Sequence, residues 1–237
     1  MKTKIFLLLI SLIFISNVYG QTTQVVFDPT IKTSETKVSP AEEKLVKTVL
    51  PKTRKSWTED SCAEDFSVTG KASGSFTKQN ATQTAYLYEF CQTGNGFAND
   101  GIVITEAGKI VAHYLYEGAW TLDLTSLPDI NNNGIDELVV HNSGGMHQGT
   151  FGTGLDILEI SPKGVKEFGA TQTSYNDCDA GISKNCRDDN YKITVSTGET
   201  PTFYSQKFVK VRKKWKPLGK TAKSKMFKLD YKYQLVR

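Results

Sequence analysis

Asp129-Ile-Asn-Asn-Asn-Gly-Ile-Asp-Glu137, running straight into Leu138-Val139-Val140, is the stretch that decides the fold. Oxygen-bearing side chains recur at alternate positions, Asp129, Asn131 and Asn133, and Gly134 follows where the chain must bend sharply. The spacing suits Ca²⁺, which takes about six to eight oxygens and accepts them from a tight loop. The backbone carbonyl of Ile135 and a closing carboxylate, Glu137 with Asp136 in reserve, complete the candidate ligand set. An EF-hand needs a bidentate Glu at the twelfth loop position, which is Val140 here, and helices on both sides, for which the flanks show no pattern. The loop therefore opens a strand.

Outward from it, the chain from Ser67 reads as strands separated by Gly, Asn and Asp turns. They are expected at 85–90, 101–105, 109–116, 119–124, 135–141, 155–160, 165–168, 171–176 and 191–196, with two basic strands after them. Roughly eleven short strands at regular spacing predict a mostly β fold, an antiparallel meander arranged as propeller-like blades, a sandwich or an open barrel. Ahead of them, Ser39-Pro-Ala-Glu42 supplies an N-cap, a proline at the first helical position and a capping-box glutamate. A short N-terminal helix follows, with Leu45, Val46, Val49 and Leu50 as its apolar stripe, and Pro51 breaks or kinks it.

The Asp129 loop with its following strand resembles the calcium loop of FG-GAP or integrin-type propeller repeats. In that pattern, Asp-x-Asp/Asn-x-Asp/Asn-Gly-x-x-Asp/Glu precedes a hydrophobic strand. The resemblance spans about twelve residues and implies a Ca²⁺ ion surrounded by Asp129, Asn131, Asn133, Ile135 and Glu137. Of these side chains only Asp129 and Glu137 carry charge, and the chain has one such loop where a complete propeller of this type has several. The competing reading is an Asn-Gly hairpin turn with no ion. Gly74-Ser-Phe-Thr77 and Gln83-Thr-Ala-Tyr86, taken with this loop, look like exported bacterial-type proteins that carry a single FG-GAP-like loop.

Lys2 and Lys4 precede an apolar run from Ile5 to Ile15, and Val18-Tyr19-Gly20 ends it, so residues 1–20 read as a signal peptide and the protein as secreted or periplasmic. Residues 21–38 are expected to be a disordered lead, and 39–237 a single β-rich domain. No other stretch has the ~18 apolar residues of a transmembrane segment. Cys62, Cys91, Cys178 and Cys186 suit an oxidising compartment and two disulfides. Proximity favours Cys178 with Cys186, a short loop whose closure contributes about 2–3 kcal/mol in the chain-entropy model, and Cys62 with Cys91. The Cys-x₂₋₄-Cys spacing of a zinc site is absent.

Charge is distributed unevenly. Residues 21–200 hold 15 Lys and Arg against 24 Asp and Glu, net −9, whereas 201–237 hold 12 against 1, net +11. From Phe203 to Lys216, Phe203, Val209, Val211 and Trp215 alternate with Lys210, Arg212, Lys214 and Lys216, the pattern of one half-buried strand. Phe227, Leu229, Tyr231, Tyr233 and Leu235 alternate likewise with Lys228, Asp230, Lys232 and Gln234. Solvated lysine faces that protect sheet edges explain the basic end. The alternative is electrostatic attachment to an anionic surface. The aromatics alternate inward, so a base-stacking platform for nucleic acid is not expected.

Chemistry-bearing residues are few. His113 alternates with Val111 and Leu115 as a packed or edge histidine. His141 and His147 flank the glycine-rich run 143–154, where His147 and Gln148 are candidate ligand contacts. No phosphate loop, Gly-x-Ser-x-Gly elbow or His-Glu-x-x-His is present, and no catalytic residue is assigned. Glu89, Glu106, Glu117 and Glu159 stand in or beside strands, and Asp177, Asp179, Asp188 and Asp189 form a second acidic group around the short disulfide. The leading expectation is a calcium-binding, non-enzymatic module for an extracellular protein or glycan. A secreted hydrolase acting on polysaccharide or peptidoglycan is the alternative.

Overall fold

A computed structural model describes residues 22–31, 37–56, 66–94, 96–178, 186–229 and 231–236. The elements in chain order are β1 (Thr23–Phe27), α1 (Pro40–Lys47), α2 (Leu50–Ser56), β2 (Ser67–Gly74), β3 (Gln83–Gly94), β4 (Phe97–Glu106), β5 (Lys109–Leu127) and β6 (Glu137–His147), followed by β7 (Thr150–Ser161), β8 (Gly164–Asn176), β9 (Asp188–Ser196), β10 (Thr202–Val211), β11 (Lys214–Lys223) and β12 (Gln234–Leu235). The chain is mostly β, as its turn rhythm predicts. β2 to β11 pair in sequence order as one antiparallel meander, and the path does not close into a barrel.

The 19-residue strand β5 joins two halves of this sheet. Its first part, Lys109 to Ala119, pairs with β4, and its second part, Trp120 to Leu127, pairs with β6. β12 lies on the otherwise open side of the first part, at Tyr114 and Leu115. β2 curls back over the second part: a Cβ on Gly70 would come 2.4 Å from the Leu124 nitrogen, so only glycine permits the approach. Beside it the Thr69 and Thr121 hydroxyls meet at 2.8 Å.

Three turns explain where strands end. Ala107-Gly108, Gln148-Gly149 and Arg212-Lys213 all have positive φ at both positions, the type I′ geometry that matches strand twist. Arg212-Lys213 corrects the single strand expected over 203–216, which is the β10–β11 hairpin. Neither residue is a turn former, so the apolar–basic alternation runs through the bend unmarked. Conversely, the strands expected at 109–116 and 119–124 are one, β5, and those at 165–168 and 171–176 are one, β8, with a bulge at Gly169 (φ 125°). The glycine-rich run 143–154 is likewise no open loop but the paired ends of β6 and β7 around the two-residue turn.

The lead expected to be disordered contributes β1, which pairs with Ile193–Ser196 of β9. β8 leaves β9 after Asn190, and β1 takes over the vacated edge. The helix expected after Ser39 forms with both bonds of its capping box and divides into α1 and α2 before Pro51. The terminal alternation is half realised. Tyr231, Tyr233 and Leu235 pack on the core, yet only Gln234 and Leu235 form a strand, and Phe227 is 48 % exposed. β11 is an edge strand with Lys214, Lys216, Lys220 and Lys223 exposed, as edge protection requires.

One face of the sheet buries Leu87, Ile102, Ile104, Tyr114, Leu124, Leu138, Val140, Leu158 and Ile160 beneath the C-terminal segment. Behind the first half, Tyr86, Tyr88, Val103 and Leu115 pack against Val46, Val49 and Leu50. A third cluster joins Val139, Leu155 and Ile157 to Ile193, Val195 and Phe203. His113 is a packed histidine, 4 % exposed, with its Nε2 2.7 Å from the Tyr88 hydroxyl, which reaches Thr53 of α2 at 2.8 Å. Burial, helped by the Lys52 charge, holds the imidazole down at about 4.

A histidine kept neutral in the fold but titrating near 6.5 when unfolded stabilises the native state above that pH and withdraws the contribution as pH falls toward 4. The stability advantage of the wild type over His113→Gln should therefore shrink by about 2–3 kcal/mol between pH 7.5 and pH 4.5 in urea unfolding. An advantage independent of pH would show that the imidazole is not buried neutral.

Candidate functional site

The loop between β5 and β6 gathers the five residues expected around an ion. Asp129 organises it: one carboxylate oxygen accepts from the backbone N–H groups of Asn131 and Asn133, both at 3.1 Å, and the other from Gly134 at 2.6 Å. Asn131 Oδ1 accepts from Asn133 N–H and Asn133 Oδ1 from Ile135 N–H, so consecutive side-chain oxygens face into the turn. Asn132 (φ 62°) and Gly134 (φ 79°) take the left-handed conformations that this winding needs. Asp136 has a different job. Its two oxygens accept from the N–H groups of Asp129 and Ser75, which ties the loop to the corner after β2.

Glu137 is fully buried. One oxygen accepts from Ile130 N–H at 3.0 Å, and the other has no hydrogen-bond partner. Burial first, then the negative charges of Asp129 and Glu159, push its carboxyl up to about 8. Glu159, on β7, accepts from the side-chain amides of Asn131 (2.6 Å) and Asn133 (2.7 Å), so it joins the loop, which its place in the sequence does not reveal. Among the described residues no group of three or more His, Cys, Asp or Glu is gathered closely enough to hold a metal by itself. The loop's donors are instead a mixture of carboxylates, Asn amides and backbone carbonyls. These are the hard oxygen ligands that Ca²⁺ prefers, and the partnerless Glu137 oxygen is the atom most in need of a cation.

The other candidates disperse. Gln148 is exposed at the β6–β7 turn, and the side chain of His147 lies outside the described ones. His141 is held down by burial beside Thr125 and Phe27. Cys178 and Cys186 form the expected disulfide; Cys91 is also disulfide-bonded, and Cys62 lies outside the described residues, as does the expected signal peptide. In the second acidic group, Asp189 pairs with Lys207 at 2.7 Å and Asp177 with Arg187, while Asp179 lies outside the described residues. Glu106 pairs with Lys78.

A second cluster has no counterpart among the sequence candidates. Asp100 on β4 lies in register between Glu89 on β3 and Tyr116 on β5, on the face that carries Ile102 and Ile104. It is fully buried, and neither carboxyl oxygen has a hydrogen-bond partner; the Tyr116 hydroxyl has none either. Gly118 makes the space, since a Cβ there would stand 3.0 Å from Asp100 Oδ2 and 2.8 Å from the Tyr116 ring. Asp156 on β7, 4 % exposed, accepts a 3.0 Å hydrogen bond from the Asn142 amide. Burial and the Glu167 charge raise Asp156 to about 7, against the opposing Asn142 bond. Burial, then Glu89 and Asp156, raise Asp100 far above the carboxylate range.

Asp156 forms part of the floor of a cleft of about 460 Å³. Its walls come from Asn142, Gly144 and Gly152 on one side and Gln172, Phe227 and Tyr231 on the other. The signal that could have found this cluster is local. Asp100 alternates with Ile102 and Ile104, and Asp156 with Leu158 and Ile160, so each is a carboxylate in an inward register.

Comparison of the chain with protein-family models, curated proteins and solved structures finds no match.

Asp100→Asn removes a buried charge that has no cation and faces Glu89. The substitution should stabilise the fold at pH 8, by about 1–3 kcal/mol, and the gain should fall on acidification, because Asp100 binds its proton more readily in the folded chain than in the unfolded one. Chemical denaturation at pH 8 and pH 5 checks both; a loss at pH 8 would mean that the carboxylate has a stabilising partner.

Proposed function

We propose that this chain is an exported, calcium-stabilised β-domain that binds a glycan or protein ligand rather than transforming one. The observation that carries the reading is the Glu137 oxygen, buried without a partner inside a loop where Asp129, Asn131 and Asn133 all present side-chain oxygen. Asp129, Asn131, Asn133, the Ile135 carbonyl and Glu137 would hold the ion, with Glu159 adding charge. Bound calcium supplies the positive charge that the described loop otherwise lacks. It would lock β6 to β7 and to the corner after β2. The FG-GAP likeness of the loop supports the same assignment. A disulfide between Cys178 and Cys186 fits an oxidising compartment, and no helix among the described residues is long and apolar enough to cross a membrane.

The ligand surface in this reading is the cleft on the β6–β7 hairpin. Hydrolysis of polysaccharide is the second reading, favoured by Asp156 and Asp100 standing as two raised carboxyls near one cleft. Acid–base hydrolysis of a glycoside requires both carboxyl groups to reach the scissile bond. Asp156 lines the cleft, whereas Asp100 is fully buried and is not part of the lining, which favours binding over turnover.

Thermal unfolding in excess EDTA and across a calcium titration tests the ion. Calcium at about a hundred times its dissociation constant should stabilise the protein by about 2.7 kcal/mol, and Asp129→Ala should lose the response. Glu137→Gln gives the sharper result, with higher stability than wild type in EDTA, where the unpaired charge is gone, and little gain from calcium. A wild-type melting temperature indifferent to calcium would reduce the segment to a turn.

A further inference from the structure

We infer that the cleft between the β6–β7 hairpin and the C-terminal segment is a binding site for an amino sugar, with Asp156 receiving the ammonium group and Tyr231 receiving the ring. The inference rests on the proposed role of the cleft as a ligand surface, and the cleft shares no lining residue with the calcium loop.

The cleft has a built floor. Asn142 donates to Asp156 Oδ1 at 3.0 Å and fixes the carboxyl in the lining, while Gly152 and Gly154 keep the strand surface beside it bare. A Cβ on Gly154 would come 2.9 Å from Asn142 Oδ1, so glycine there protects the amide that orients Asp156. Behind the floor stands Asp100, fully buried, with neither oxygen partnered, and Tyr116 with its hydroxyl unpartnered. Glu89, Glu167, Tyr231 and Tyr233 surround them. Neither Asp100 nor Asp156 has an ion pair with Lys or Arg among the described residues. A desolvated acidic cluster without an internal cation selects a cationic group from outside, and the hydrogen bond it offers is charge-assisted.

The walls narrow the chemistry. Tyr231 leans on Tyr116 at 5.7 Å between ring centroids, and Phe227, 48 % exposed, stands at the rim. Aromatic faces attract ammonium groups and cover the apolar face of a ring. The Gln172 and Asn142 side chains supply amide groups of the kind that hydroxyl groups need. A linear polyamine would leave these polar groups unused, and a neutral sugar would leave Asp156 without its cation. Pairing with an ammonium group favours the ionised carboxyl that burial disfavours, so binding relieves a cost carried by the free protein.

The test is isothermal titration calorimetry of the intact chain in saturating calcium near neutral pH. The probes are the β-1,4-linked trimer of glucosamine, its fully N-acetylated counterpart and spermidine. The glucosamine trimer should bind at least roughly ten times more tightly than either of the others. Asp156→Asn should lose about the same factor. Gly152→Leu should abolish binding, since a Cβ at Gly152 meets only ordinary contacts, 3.4 Å to the Ser174 carbonyl oxygen and 3.6 Å to Gln172 Nε2, and the larger side chain fills the cleft. Melting temperatures of both variants confirm folding, and their calcium response reports separately on the Asp129 loop. Equal binding of the acetylated trimer, equal binding of spermidine, an unaffected Asp156→Asn variant, or no heat with any probe would each overturn the assignment.

Discussion

One continuous antiparallel sheet imposes a strict alternation on this chain, and β5 is where the constraint is tightest. Its 19 residues pair with β4 and then with β6, so a single strand sets the facing of side chains in both halves of the sheet. Gly118, close to the change of partner, has no side chain to place and leaves the space that Asp100 and Tyr116 occupy. A one-residue slip along β5 would move Ala112, Tyr114 and Tyr116 off the face beneath the C-terminal segment and put Val111, His113 and Leu115 there in their place. The close approach at Gly70 and the His113–Tyr88–Thr53 chain hold that register from the two sides of the sheet.

The inward face is apolar along most of its length and acidic at one end, where Glu89, Asp100, Asp156 and Glu167 surround three tyrosines. A core optimised for stability alone would fill Asp100 with a residue of similar volume and no charge, because an unpaired buried charge is among the most destabilising features a fold can carry. Features of that kind collect at functional sites, and this one lies next to a cleft. The direction of every raised carboxyl in the cluster has the same cause, loss of water, with neighbouring negative charge adding to it.

What the sequence made legible divides along the distance over which its signals act. Local signals were read correctly: the Ser39 capping box, the Asp129–Glu137 turn that opens β6, the Cys178–Cys186 pair and the dominance of strands. The β10–β11 turn was missed because Arg212 and Lys213 take left-handed φ without glycine or asparagine to announce it. β1 was missed because its pairing partner lies about 170 residues further along, at Ile193–Ser196, and its own five residues are half exposed. Glu159 and Asp156 show the limit most sharply. They sit three residues apart on β7 and face opposite ways, one toward the Asn131 and Asn133 amides and the other toward Asn142, a division that appears only when the register with β6 and β8 is known.

That division also relates the two sites. β6 begins at Glu137 and reaches Asn142 five residues later, about 17 Å along an extended strand, and β7 carries Glu159 and Asp156 over a similar but shorter reach. The same pair of strands therefore ends in the calcium-type loop on one side and in the floor of the cleft on the other. At the first end of the pair Glu137 keeps one oxygen unpartnered near Asp129 and Glu159, whereas at the second Asn142 holds Asp156 at hydrogen-bond distance. A cation in the loop would give that oxygen a partner and stiffen the start of β6 against the end of β7. The proposed ion would then contribute to binding of the proposed ligand without touching it, by narrowing the range of β6–β7 geometries in which Asp156, Gln172 and Tyr231 face the same space.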